Sequence, residues 1–371
     1  MSSSLVPRRL PRCLSTPSCP RSARRLLSSN SKISRPEIIF SGIQPTGIPH
    51  LGNYLGALQR WVKLQNEAAP STNLVFSVVD LHAITLRQDP KQLRLWRKEM
   101  LASLLAVGLD PKRSIIFNQS DVPAHSELMW ILSCQASMGY LSRMTQWKSK
   151  STTEKEPKLG LFSYPVLQAA DILVHRATHV PVGEDQAQHL EFARECAGSF
   201  NHAIGRTVLV PPDTILSPAR RVMSLTNPTK KMSKSDANPK SRILITDDRD
   251  AIAAKLRTAV TDSVDGVSYE PETRPGVSNL VEIMFHMGGE PAPGAPQNCD
   301  ELAKECEGLS MRALKERVTD VVDAGLAPVR ERYYELMQDE SALDEIKEEG
   351  AKKARESAER TMRMVRDAIG F

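Results

Sequence analysis

Lys231-Met232-Ser233-Lys234-Ser235 follows Asn227-Pro228-Thr229-Lys230 and reads as a flexible loop carrying two lysines. Ammonium groups on such a loop can follow negative charge as it builds on a departing pyrophosphate, where one well-aimed donor is worth about 3 kcal/mol. Far upstream, Gln44-Pro45-Thr46-Gly47-Ile48-Pro49-His50-Leu51-Gly52-Asn53 reads as a turn between a strand and a helix. A helix opening near Asn53 aims unpaired N–H groups and the positive end of its dipole at an anion. Gly52, lacking a Cβ, lets a nucleotide lie against the backbone, and His50 and Asn53 can donate to phosphate oxygens. Taken singly, each segment is also compatible with a solvated lysine loop or a plain helix-starting turn capped by His50.

Tyr164, Gln168 and Asp171 recur at i, i+4 and i+7 and so share one helix face. A carboxylate, an amide and a phenol together can hold an ammonium and one polar side-chain atom of an amino acid; Asp171 could equally face the core. Val182-Gly183-Glu184-Asp185-Gln186 closes a strand and opens a helix. There Gly183 permits close approach, and an acid can take two ribose hydroxyls, although Glu184 and Asp185 also suit a helix's first turn. Asp80 and His82 are a possible pair, or a cap and a buried histidine. Trp61, Trp96, Trp130 and Trp147 fit core packing. No Ser/His/Asp or Cys/His arrangement supports covalent catalysis.

The elements that must hold these residues alternate. Strands are expected at Ile38–Phe40, Leu74–Val79, Ser114–Phe117 and His179–Val182. Helices are expected at Asn53–Ala68, Lys91–Val107, Ala124–Ser137, Tyr164–His175 and Glu184–Phe200. That order predicts an α/β fold with a Rossmann-like, doubly wound parallel sheet whose ligands sit at the strands' carboxyl ends. Ser149–Gly160 is charged and reads as a mobile surface loop. After Ser241 the pattern turns helical, at Asp247–Val260, Val277–Met287, Ser310–Ala324, Ala327–Gln338 and Ser341–Ile369, with a Pro/Gly-rich loop at Gly288–Pro296. Three parts follow: residues 1–36, an α/β part over 37–240, and a C-terminal helical domain over 241–371, whose last helix could pack back on the α/β part.

With 371 residues, 40% hydrophobic and 25% charged, the chain can bury a sizeable core. It contains no apolar run near the roughly 20 residues that cross a bilayer, so no membrane role is expected. Residues 1–36 are rich in Arg and Ser and contain no acid, the composition of an organellar transit peptide, most simply mitochondrial; a basic RNA-binding arm has the same composition. Eight of the 49 basic residues lie there, so the remaining 41 face 44 acids and the body is near −3 rather than +5. Any nucleic-acid contact of the body must therefore be local. Cys134, Cys196, Cys299 and Cys306 form no CxxC pair, which suits a reducing compartment and argues against a structural metal.

Several segments together resemble the tryptophanyl-tRNA synthetases, class I aminoacyl-tRNA synthetases with paired ATP signatures (HIGH-like and KMSKS). They are Phe40–Gly47, Gly52–Ala57, Tyr164-Pro165, Ala169–Leu173, Val180–Gln186 and Lys231–Ser235, in matching order and spacing. Asn53 replaces the second signature histidine, as in that family. The resemblance implies a tryptophan pocket lined by Phe40, Gly42, Asp171, Val182 and Gln186, with Asp171 receiving the indole N–H and with Tyr164 and Gln168 beside it. It implies ATP contacts from Gln44, Pro45, Thr46, Gly52, Asn53, Gly183, Glu184, Asp185, Val222 and Lys231, Met232, Ser233, Lys234 and Ser235, with His50, Asn53, Lys231 and Lys234 acting on the phosphates. It further implies ATP with Mg2+ as substrate, tRNA(Trp) as partner, anticodon reading by the helical domain, a homodimer, and residence in the mitochondrial matrix. Gln168 stands where many bacterial members carry methionine and makes the Tyr164/Gln168/Asp171 trio similar to the tyrosyl enzymes. Three rivals stay open: a tyrosine–tRNA ligase, a nucleotidyltransferase of the same superfold, and an inactive homologue acting as an RNA-binding protein.

Overall fold

The computed structural model describes residues 36–151, 157–183, 186–216, 221–289 and 293–371. The leader expected over 1–36 lies, but for Pro36, outside them, as do Glu184, Asp185 and parts of the loops expected at 149–160 and 288–296.

Ile-Ile-Phe and Leu-Val-Phe cannot be left half in water, and both become central strands covered on two faces. β1 is Ile38–Ile43, followed by α1 at Leu51–Asn53, a π-turn at Tyr54–Leu58 and α2 at Gln59–Glu67. β2 (Asn73–Val78) leads to α3 (Asp80–Ala83) and α4 (Pro90–Ala106), which Asp89 caps by accepting from Lys91 N and Gln92 N. β3 (Ile115–Asn118) passes through a 3-10 turn at Gln119–Asp121 into α5 (Ala124–Ser133), α6 (Met138–Arg143), α7 (Thr145–Ser151) and α8 (Leu159–Val174). β4 (His179–Val182), α9 (Ala187–Ile204) and β5 (Asp213–Leu216) complete the sheet. Then come α10 (Arg249–Arg257), α11 (Pro275–Met287), α12 (Cys299–Glu305), α13 (Met311–Gln338) and α14 (Glu340–Ile369).

The five strands are all parallel, in the order β3-β2-β1-β4-β5. Chain direction reverses its winding at β1, so β1 and β4 flank a switch point where a crevice opens beyond their carboxyl ends. Alternate side chains go to opposite faces. Ile39, Leu74, Phe76 and Val78 join one core with α2 and α4, and with α10 to α13. Phe40, Val75 and Phe117 join the other with α5, α8, α9 and the second half of α14. Of the four tryptophans expected to pack in the core, Trp61 does so, stacking on Phe76 at 4.9 Å in the first core, whereas Trp130 on α5 is 71% exposed.

The helical tail belongs to the same compact unit, residues 36–371. Its last helix lies against the edge strand β3: a Cβ on Gly350 would stand 1.8 Å from the Ile116 carbonyl oxygen, so only glycine lets the helix come this close. α13 is one helix although Gly325 and Pro328 suggest a break near 325. Its burial against α10, α11 and α4 outweighs the one N–H that Pro328 cannot donate.

Candidate active site

The turn after β1 is built around His50. Its Nδ1 accepts from Asn53 N at 3.3 Å while the Asn53 Oδ1 accepts from His50 N at 3.2 Å, a reciprocal capping box. The acceptor role leaves the ring proton on Nε2, a donor. Burial, then the charges of Lys234, Arg242 and Lys231, push the His50 imidazole down to about 4, so it is neutral at pH 7. One further segment, residues 243–245, pins this turn with two bonds: Leu51 N donates to Ile243 O at 2.8 Å and Ile245 N to Pro49 O at 3.0 Å. Gly47 adopts φ +88°, and a Cβ there would meet the Trp96 indole at 3.1 Å.

Lys231 is placed by a backbone bridge to Met223, flanked by Met232 N donating to Val222 O at 3.0 Å. Val222 and Met232 are themselves buried in the core. Lys234 Nζ donates to Gly47 O at 2.6 Å, which joins the lysine loop to the turn after β1. Burial pushes this ammonium down to about 8, opposed by the Glu99 carboxylate, while Arg242 adds to the fall. Ser233 and Ser235 pair through their hydroxyls at 2.8 Å on the exposed side of the loop.

The second set lies on α8. Asp171 is 1% exposed, and its Oδ1 accepts from His125 Nδ1 at 2.7 Å and Gln119 Nε2 at 2.6 Å while its Oδ2 accepts from His82 Nε2 at 2.8 Å. Burial opposes the charge, but the bonds from His125 and His82 outweigh it and hold the carboxyl well below the usual range. Two carboxylate oxygens offer about four acceptor positions; three are taken, leaving one on Oδ2. Burial pushes the Tyr164 phenol up to about 12, and it donates to Gln146 Oε1 at 2.8 Å. Gln168 Nε2 donates to Gln186 Oε1 at 3.4 Å.

These residues meet in one cavity of about 690 Å3. Its lining includes Phe40, Gly42, Gln44, Gly52, Asn53 and Lys231 together with Tyr164, Gln168, Asp171, Val182, Gly183 and Gln186. His50, Pro45, Thr46, Val222, Met232, Ser233, Lys234 and Ser235 are not in that lining. Asp80 and His82 part ways: Asp80 accepts from Ser120 N at 2.9 Å and pairs with Arg97 at 2.7 Å, while His82 turns to Asp171.

Sequence reasoning missed Gln119 and His125, and the polar run Asn118–Asp121 directly after a buried strand, at its carboxyl end, was the available signal. It missed Arg60 and Arg221, which add cationic groups to the lining. Arg60 follows Gly52 and Gly56 at spacings of four on the same helix face, and its buried Nε has no hydrogen-bond partner among the described residues. Within the described residues, no group of three or more His, Cys, Asp or Glu is placed to hold a metal ion, and no helix there is long and apolar enough to cross a membrane.

An all-parallel sheet with a nucleotide-type turn at the β1 carboxyl end, and a second loop of lysines folded onto that turn, defines a class of ATP-using enzyme. The family profile described as tRNA synthetases class I (W and Y) matches residues 32–327, and the chain belongs to that family. Among its relatives, the mitochondrial tryptophan–tRNA ligase of Schizosaccharomyces pombe is 44% identical over 350 residues, covering 90% of this chain and 95% of the relative. The tryptophan–tRNA ligase of Clostridium perfringens is 45% identical over 336 residues, covering 90% and 98%. The structure of Campylobacter jejuni tryptophanyl-tRNA synthetase complexed with ADP and tryptophan superposes with a TM-score of 0.77 at 32% identity, covering 90% of this chain and 100% of that one.

Proposed function

We infer that this chain activates L-tryptophan with ATP and transfers it to tRNA(Trp). The observation that carries the reading is the single cavity in which the phosphate-binding turn and Lys231 share a wall with the buried Asp171 carboxylate. Tryptophan's carboxylate attacks the α-phosphorus of MgATP in line. A new P–O bond forms, the bond to the bridging oxygen breaks, and pyrophosphate leaves. The attacking carboxylate is already ionised, so no general base is needed, and the protein supplies position and charge. Gly52 and Asn53 offer backbone and amide donors at the helix start, His50 keeps that start in shape, and Lys231 and Lys234 take the charge arriving on the pyrophosphate. Asp171 accepts the indole N–H at its one open position, between Phe40, Gly42, Val182 and Gln186.

In the second step the terminal ribose hydroxyl of the tRNA attacks the mixed anhydride and releases AMP. The helices after residue 240 supply the anticodon contacts, two copies of the chain form the working dimer, and residues 1–36 direct the protein to the mitochondrial matrix. Mg2+ arrives with ATP, since magnesium sites of this kind use few protein ligands. ATP–pyrophosphate exchange by protein starting at Ser34, with each of the twenty amino acids offered separately, tests the reading. Exchange driven by tryptophan alone is expected; exchange driven by tyrosine would reassign Tyr164, Gln168 and Asp171 to a phenol, and silence with all twenty would refute the reading.

A further inference from the structure

The bonds to Asp171 continue into the protein. His125 Nε2 lies 3.3 Å from His175 Nε2, and His175 Nδ1 lies 3.2 Å from the Ser357 hydroxyl on α14. Two ring nitrogens that face each other bond only when one carries a proton and the other a lone pair. Because Asp171 is a carboxylate, His125 must donate from Nδ1; in its neutral form Nε2 then holds the lone pair. His175 therefore donates from Nε2 and keeps its own lone pair on Nδ1, to which Ser357 donates. Every bond in this chain points the same way, toward Asp171. His125 and His175 are 0% and 1% exposed, and burial, with the charge of Arg360, keeps His175 from protonating despite Asp171. Packing alone does not require a histidine here. His175 stacks on Phe40 at 5.8 Å and meets the edge of Phe117 at 5.6 Å, a niche that a phenyl ring would fill.

We propose that His175, oriented by Ser357 of the last helix, is a positioning residue for the amino-acid site: by donating to His125 Nε2 it fixes the His125 ring and thereby holds Asp171 with its one open lone pair turned to the cavity. The site then selects an amino acid whose ring donates a hydrogen bond. This rests on the reading that Asp171 receives the indole N–H. When an acceptor is turned away, a buried N–H loses its partner, whereas a ring with no N–H loses nothing.

The test compares tryptophan with β-(3-benzothienyl)-L-alanine, in which sulfur replaces the N–H, in pyrophosphate exchange by wild type, His175→Phe, Ser357→Ala and Ser357→Thr. His175→Phe should lower kcat/KM for tryptophan about tenfold, chiefly through KM. The KM for ATP should hold, and the loss on the benzothienyl analogue should stay within about twofold. Ser357→Ala should lose in the same direction by less, and Ser357→Thr, which keeps the hydroxyl, should restore the wild-type value. Equal losses on both amino acids would make His175 a packing residue and overturn the proposal, as would no loss in both His175→Phe and Ser357→Ala. Should His175→Phe not fold, the Ser357 pair decides alone. A wild type that treats the two amino acids alike would instead remove the Asp171–indole contact itself, and the positioning role with it.

Discussion

Lys234 is the residue whose ionisation the site controls most directly. Held against Gly47 O and half enclosed, its ammonium is pushed down to about 8, and only the protonated form can neutralise a departing pyrophosphate. The free enzyme's titration appears in kcat/KM, so kcat/KM for ATP should fall about tenfold per unit as pH rises above about 8. Lys234→Arg, which stays charged at any working pH, should flatten that limb, and Lys234→Ala should cut adenylate formation at least about a hundredfold with the fold intact. A pH profile equally steep in Lys234→Arg would assign the limb to another group. His50 differs: neutral, buried and spent on the Asn53 cap, it contributes shape and one Nε2 donor.

Among the elements, α14 packs back on the α/β part, as expected of the last helix. Gly350 brings it onto the Ile116 carbonyl of the edge strand, Arg366 clasps the Glu127 carboxylate of α5 with bonds of 2.7 and 2.6 Å, and Arg355 donates to Asp121 O at 3.1 Å. Gly350→Ala should therefore cost at least about 2 kcal/mol, read as a lowered urea midpoint, because backbone and not a flexible side chain stands in the way. Gly308→Ala, with open space around its Cβ, is the control expected to leave the midpoint in place. The sheet strands and the long helices were legible because continuous apolar runs and 3.6-residue spacing are local signals. The doubly wound parallel sheet followed from the alternation, though not its strand order, and the turn after β1 from Pro, Gly and the capping pair. What the chain hides is long-range: α3, α6, α7 and α12 are too short to show a period, β5 is four residues on a sheet edge, and no pattern announces that Ser357 reaches His175. At the site, the spacing of Tyr164, Gln168 and Asp171 put all three on the cavity wall, but the partners of Asp171, His82, Gln119 and His125, come from two other strand ends that only the folded sheet brings together.

At the scale of the whole molecule, buried histidines make stability a function of pH well above the carboxylate range. His50 is pushed down to about 4 and His175 well below its ordinary 6.5, burial being the largest cause for both. In the unfolded chain both titrate near about 6.5. Between that value and the folded one the unfolded state binds the extra proton, so stability rises with pH across the window and falls on acidification. Each such histidine contributes up to about 1.4 kcal/mol per pH unit. The thermal midpoint should thus drop between pH 7 and pH 5, before Asp171, held low by His125 and His82, begins to protonate. The groups that face His175 are His125, Asp171, Arg360 and the uncharged Ser357; Asp171 favours a proton on the ring and Arg360 opposes it, and burial outweighs Asp171. His175→Phe removes one of the two titrating rings, and its midpoint should fall less steeply over the same interval. Parallel slopes for wild type and His175→Phe would mean that His175 takes up its proton in the native state over the same pH range as in the unfolded chain, and the bond between Ser357 and His175 would have to reverse on acidification, with the Ser357 oxygen accepting.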